Sequence, residues 1–319
     1  MNNQDSLTEV LRSVPLAPAG DPAFAPLYDD RLRWRVRRAR WQVAIREAFL
    51  ARVATRLECR VLRRWRRQAV GADWLEQRGL PRRAMEQCLG DDLLLQVDPR
   101  ELIRSTDWRG YPRRSRPSSS AFIWEGDWDQ RRGNLCFSSR YRFISDLDEH
   151  RDDLSRTERF ASLRERLAKG HPWSSHQQGV LLDSEQRILF YLRVYLSFLD
   201  DMAARGFDAS RGKDELGVAV SREGRLIKIN RGLHRLAMAQ RLGLPSVPVR
   251  VKAVHREWWQ RVVGGAKGDA ALARLRVALR DCVPEFLPGE RDPQGYPEGF
   301  EWPSPRCAGS EAGLPGSKA

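Results

Sequence analysis

Leu216-Gly217-Val218-Ala219-Val220, then Leu226-Ile227-Lys228-Ile229, then Asn230-Arg231-Gly232-Leu233-His234-Arg235, and finally Val247-Pro248-Val249-Arg250-Val251 decide the fold of this chain. The first two runs, joined by Arg222-Glu223-Gly224, alternate in the manner of a β-hairpin. After Gly232 the apolar period changes from two to about 3.6, through Leu233, Leu236, Ala237 and Ala239 to Leu242, so the chain enters a helix closed by Gly243. The stretch 247–251 reads as a further strand.

A strand that passes through glycine into a helix with His-Arg in its first turn is a physically sensible phosphate site. The first N–H groups of a helix lack intrahelical acceptors, the helix dipole is positive there, and Gly232 permits close backbone approach. Asn230, Gly232, His234 and Arg235 are the candidate binding residues. Two charge-assisted hydrogen bonds at about 1.5 to 3 kcal/mol each, added to the helix terminus, approach the roughly 8 kcal/mol of micromolar binding. The same spacing also fits a structural arrangement, with Arg235 on a nearby acid and His234 satisfied internally.

The order of these parts resembles the ParB/sulfiredoxin superfamily. Its signature of hairpin, glycine turn with His-Arg, small-residue helix and Val-Pro-Val strand is matched over 217–251. The resemblance implies an α+β fold, a small mixed sheet with surrounding helices, preceded here by a basic helical N-terminal region. It also implies nucleotide phosphate binding at Gly232, His234 and Arg235, with ATP or CTP and Mg2+ as cofactor and phosphoryl transfer as the associated chemistry. Leu233 stands where sulfiredoxins carry their catalytic cysteine, which excludes sulfinic acid reduction. Arg231 stands where many relatives carry an acid, so a kinase-like role finds no base there, and Asn230 can only orient a hydroxyl or ribose. No helix-turn-helix follows the motif. Upstream, Val97-Asp98-Pro99-Arg100, Gly126-Asp127-Trp128-Asp129, Trp173 and Gly206-Phe207 are similar to a group of bacterial and archaeal proteins with a C-terminal ParB-like domain.

Residues 93–97 and 121–124 read as short strands and 105–120 as a surface loop. Helical spacing covers 157–169 and 183–205, the latter closed by Gly206, and also 72–78, 81–88 and 270–280. Asp127 and Asp129, flanking Trp128, are a candidate metal pair that equally fits a tight turn with a packed indole. The acidic run from Asp146 to Asp153 reads as a solvated face or helix start.

The net charge of +14 sits almost entirely in 31–67, which holds fourteen Arg and two Glu. There Trp41, Ile45, Phe49, Val53, Leu57, Val61 and Trp65 recur every four positions on a helix or helix pair. Arg37, Arg38, Arg63, Arg64, Arg66 and Arg67 form its basic surface, open to an anionic membrane surface, to nucleic acid, or to solvent with the helix packed on its own domain. Arginine outnumbers lysine fifty to six, a ratio that genomic coding bias produces as readily as phosphate binding.

Five scattered cysteines, with no paired Cys motif, exclude a disulfide framework and a zinc site, and imply reduced thiols in a cytoplasmic protein, peripheral at the inner membrane surface if the basic segment binds lipid. The chain divides on this reading into a flexible leader (1–30), a basic amphipathic helical region (31–90), a ParB/sulfiredoxin-like domain (91–282, core motif 213–256) and a Pro/Gly-rich tail (283–319) in which Phe286, Tyr296, Phe300 and Trp302 can pin the chain. The partner implied is a nucleotide or a phosphorylated small molecule.

Overall fold

The computed structural model describes residues 22–50, 54–175, 178–211, 215–229, 231–292 and 299–305. Among these the chain is a mixed α+β protein. In chain order it forms α1 (Arg33–Phe49), α2 (Thr55–Arg66), α3 (Ala72–Gln77), α4 (Arg82–Leu89), β1 (Leu94–Val97), β2 (Arg104–Thr106), β3 (Ile123–Trp124) and β4 (Arg132–Asn134). Then come α5 (Ser139–Glu149), α6 (Glu158–Ala168), β5 (Trp173–Ser175), β6 (Val180–Leu182) and α7 (Glu185–Arg205). The order ends with β7 (Leu216–Val220), β8 (Leu226–Lys228), α8 (Leu233–Leu242), β9 (Val247–His255), α9 (Arg256–Val263) and α10 (Gly268–Leu279). Among the described residues no helix is long and apolar enough to cross a membrane.

The elements fall into two compact units. One joins the chain up to Leu50 with Phe143–Met202, and the other joins Ala51–Arg142 with Ala203 onward. The strands of the large sheet therefore come from two chain segments, and 143–202, inside the stretch 91–282, belongs to the other unit.

The first unit is helical around the β5–β6 hairpin. Leu147, Leu154, Phe160, Leu163, Val180, Leu182, Ile188 and Leu192 form its core, each buried side chain contributing about 1.5 to 3 kcal/mol. Thr157 caps α6 by accepting from the Phe160 N–H. The end of the leader is packed into this core: Phe24 and Leu27 lie on a short 3-10 helix and are buried, with Phe24 5.6 Å from the Tyr191 ring. Residues 1–21 lie outside the described residues.

The second unit is built on a mixed seven-stranded sheet in the order β1-β9-β7-β8-β2-β4, with β3 also on β9. β7 and β8 are antiparallel, with Val218 opposite Lys228, and β9 runs parallel to β7. Every residue of β7 and β8 is buried, as expected where helices and loops cover both faces of a sheet. α8 leaves the sheet at the end of β8 and returns it to β9, beyond β7.

β9 continues to His255, four residues past the apolar run 247–251, because β3 extends its pairing at Val254 and His255. The stretch read as a loop from 105 begins inside β2, whose three residues pair with β4. α5, α9, β4, β5 and β6 were not expected.

The start of the tail is a strap rather than a loose end. Leu226 donates to Val283 O at 2.9 Å and accepts from Glu285 N at 3.0 Å. Glu285 is buried and paired with buried Arg132 at 2.9 Å. Phe300 and Trp302 stack against each other and on Tyr141. Phe286 stays exposed, and its carbonyl, not its ring, holds Arg104. Tyr296 lies outside the described residues.

Candidate functional site

The first turn of α8 is set by its approach. Ile229 donates to Gly217 O at 3.2 Å and accepts from Trp108 Nε1 at 2.9 Å. Lys228 is fully buried and its Nζ donates to Arg231 O at 2.6 Å, bracing the turn from inside the sheet. Gly232 then takes φ +75°, a left-handed conformation that explains glycine at this junction. No side chain caps α8, no acid lies in its first turn, and its opening bond runs from Leu236 N to Gly232 O at 2.9 Å.

Arg235 is half-buried on this turn. Its guanidinium carbon lies 4.2 Å from the centroid of the Phe207 ring, and its Nη2 donates to Asp208 O. Among the described residues no carboxylate stands at ion-pair distance from it. Burial pulls its pKa below the ordinary arginine value, with Asp208 acting in the opposite sense. The result is a positioned cation whose charge is under-compensated, at the positive end of a ten-residue helix. His234 is half-buried beside it. Asn230 lies outside the described residues.

Asp127 and Asp129 are held by arginines. Asp129 is fully buried, accepts from Arg222 Nη2 at 2.8 Å, from Nε at 3.1 Å and from the Arg222 backbone N–H at 2.8 Å. Burial alone would raise its pKa, but the Arg222 hydrogen bonds outweigh that and hold the carboxyl below the usual range. Asp127 pairs with Arg291 at 2.8 Å and Arg222 at 3.3 Å. His255 donates from Nε2 to Gly126 O and accepts at Nδ1 from Glu257 N–H, so it organises the same turn and caps α9. Guanidinium groups thus contact both carboxylates of the aspartate pair read as a candidate metal site, and among the described residues no group of three or more metal-ligating side chains forms.

A cavity of about 440 Å³ beside this turn is lined by Tyr111, Asp127, Arg131 and Arg291 among others. It does not include the α8 residues. The loop that forms one wall is tied to the α8 approach through the Trp108–Ile229 hydrogen bond.

The basic residues separate. Arg37 and Arg38 are exposed on α1. Arg64 is spent on Val70 O at 2.9 Å and Arg66 on Asp269 at 2.5 Å, while Arg63 reaches Cys59 O and Arg67 is exposed. The apolar stripe is covered only toward the end of α2, where Val61 is half-buried and Trp65 buried, while Leu57 at its start stays exposed. On α2, Leu62 and Trp65 are buried, and Trp65 shares the carboxylate of Glu76 with Trp259 at 2.9 and 3.0 Å. On α1, Trp41, Ile45 and Phe49 are exposed. Val53 lies outside the described residues.

Asp208 and Trp108 were not singled out from the sequence, and Phe207 and Lys228 were quoted only inside longer runs, with no role at this site. A phenylalanine directly after the C-capping Gly206 was the available signal for Phe207; nothing in the sequence places it beside Arg235. No protein-family model, curated protein or solved structure matches this chain.

Proposed function

We propose that this chain binds a nucleotide or another phosphorylated small molecule, with a phosphate at the first turn of α8 held by the Gly232 backbone, His234 and Arg235. The observation that carries this reading is the half-buried Arg235, stacked on Phe207 and without a carboxylate partner among the described residues. A phosphate oxygen there would meet a guanidinium that is already positioned, and would neutralise a charge that burial has made costly. Assignment to the ParB/sulfiredoxin superfamily belongs to the same proposal and rests on the motif at 217–251.

ATP and CTP with Mg2+ are the ligands to test first. The ion would arrive on the nucleotide phosphates and its own waters, because Asp127 and Asp129 are taken by Arg222 and Arg291. Phosphoryl transfer is the chemistry such a site serves, with Asn230 orienting an acceptor hydroxyl. A thermal-shift panel of nucleoside triphosphates with magnesium tests the binding. A rise in Tm that vanishes in His234→Ala/Arg235→Ala supports it; no rise at millimolar nucleotide rejects it.

A further inference from the structure

α1 carries two apolar stripes on opposite faces. At about 100° per residue, Trp34, Trp41, Ile45 and Phe49 fall within an arc of about 80°, and Val36 lies about 180° from Ile45. Val36 is buried with Leu32 and Leu181, so its face attaches the first turns of the helix to its unit, whereas from Trp41 to Phe49 the described side chains are exposed, Val43 on the Val36 face included. The opposite stripe points to solvent: Trp34 is 77% exposed, Trp41 69%, Ile45 48% and Phe49 58%. A helix of a globular unit needs one apolar stripe, facing its core. A second stripe of four large side chains, left in water, is a binding surface.

The charge around the stripe selects its partner. α1 holds six Arg (Arg33, Arg35, Arg37, Arg38, Arg40, Arg46) against the single acid Glu47. Arg37 borders the outward stripe, its guanidinium carbon 5.6 Å from the Trp34 ring, and Arg38 falls between Ile45 and Phe49 on the helical projection. A second copy of this face would set these arginines against themselves. A nucleic acid would meet indole, isoleucine and phenylalanine at the centre of the contact, where phosphates require cations. An anionic lipid interface accepts both features: large apolar side chains enter the acyl boundary while arginines remain at the headgroup phosphates.

We propose that α1 is an interfacial anchor, lying in the plane of an anionic phospholipid surface with Trp34, Trp41, Ile45 and Phe49 inserted and Arg37 and Arg38 on the lipid phosphates. The surface uses none of the residues of the α8 site, and its test uses no nucleotide.

The test is co-sedimentation of the full chain with phosphatidylcholine vesicles and with vesicles containing about 30% phosphatidylglycerol. The proposal expects at least about tenfold more binding to the anionic vesicles. Trp41→Ala/Ile45→Ser/Phe49→Ser, which leaves the net charge unchanged, loses at least about tenfold, and Arg37→Gln/Arg38→Gln loses a comparable factor. All substituted side chains are exposed, so the circular dichroism spectrum of each variant should match the wild type. Absence of vesicle binding by the wild type, or apolar-variant binding equal to wild type, overturns the proposal. So does tight duplex DNA binding that survives the apolar substitutions while vesicles are not bound.

Discussion

Arg235 lies over the ring of Phe207, its guanidinium carbon 4.2 Å from the ring centroid. Such stacking contributes about 0.5 to 2 kcal/mol, whereas a charge-assisted hydrogen bond to a phosphate contributes about 1.5 to 3 kcal/mol. The ring therefore orients the cation, and under the proposed function the larger share of the energy comes from a phosphate. Lys228 and Trp108 fix the backbone just before Gly232, so the protein itself holds the helix terminus in place.

Phe207→Ala removes the orientation and keeps the charge. Phosphate-ligand affinity should fall about three- to tenfold, less than for loss of Arg235 itself. Titration of both variants checks the order; an affinity loss for Phe207→Ala equal to that for Arg235→Ala would mean that the ring does more than orient.

Asp129 and Asp127 should differ sharply despite their proximity. Asp129→Asn leaves Arg222 without its buried partner and should cost about 3 kcal/mol. Asp127 is half-exposed, so Asp127→Asn should cost no more than about 0.5 kcal/mol. The pH dependence has a definite sign. The folded pKa of Asp129 is depressed below 3.8, so its contribution is complete above 3.8 and is lost as pH falls through the lower folded value. Urea unfolding should give a constant difference between wild type and Asp129→Asn above about pH 5 that collapses in stronger acid.

Glu285 tests the strap. Glu285→Ala removes a buried carboxylate, 2.9 Å away, from the buried Arg132, which also pairs with the half-exposed Glu223 at 3.1 Å, and should cost about 3 kcal/mol in urea unfolding. Adding Arg132→Met should recover a large part of that loss. A neutral Glu285→Ala variant would show that residues after 282 do not close the sheet.

The thiols should sort by burial. Burial pushes Cys136 up to about 11 and Cys282 up to about 12, whereas Cys59 and Cys88 are partly exposed. Iodoacetamide at about pH 8 should alkylate Cys59 and Cys88 in the native protein and reach Cys136 and Cys282 only after unfolding. Peptide mass mapping reads the result.

The part of the fold that was legible is the part with a long, clean period. The β7–β8 hairpin, α8 between Gly232 and Gly243, and α7 up to Gly206 all stand where the spacing puts them. β2, β4 and β5 are short, mostly polar runs (Arg104-Ser105-Thr106, Arg132-Gly133-Asn134, Trp173-Ser174-Ser175), without the apolar run that marked β3 or the glycine turn that marked β8. The basic segment misled in a specific way. Its four-residue repeat runs unbroken from Trp41 to Trp65, yet Trp65 is buried and Trp41 exposed, because neighbours decide which stripe is covered. The partner of Asp129 was not legible for a related reason: nothing in Gly126-Asp127-Trp128-Asp129 announces an arginine from position 222, far along the chain. At the candidate site, the strand-to-helix junction at Gly232 was legible, with His234 and Arg235 on the first turn that follows it. The ring of Phe207, twenty-eight positions before Arg235, was not.

The most direct test is isothermal titration of the full chain with ATP and with CTP, each with magnesium, in buffer free of phosphate, for wild type and Arg235→Ala. At least one nucleotide should bind with a dissociation constant in the micromolar range, about −8 kcal/mol, and the variant should lose at least about tenfold. No binding heat at millimolar nucleotide, or equal affinity in the two proteins, would contradict phosphate binding at the first turn of α8.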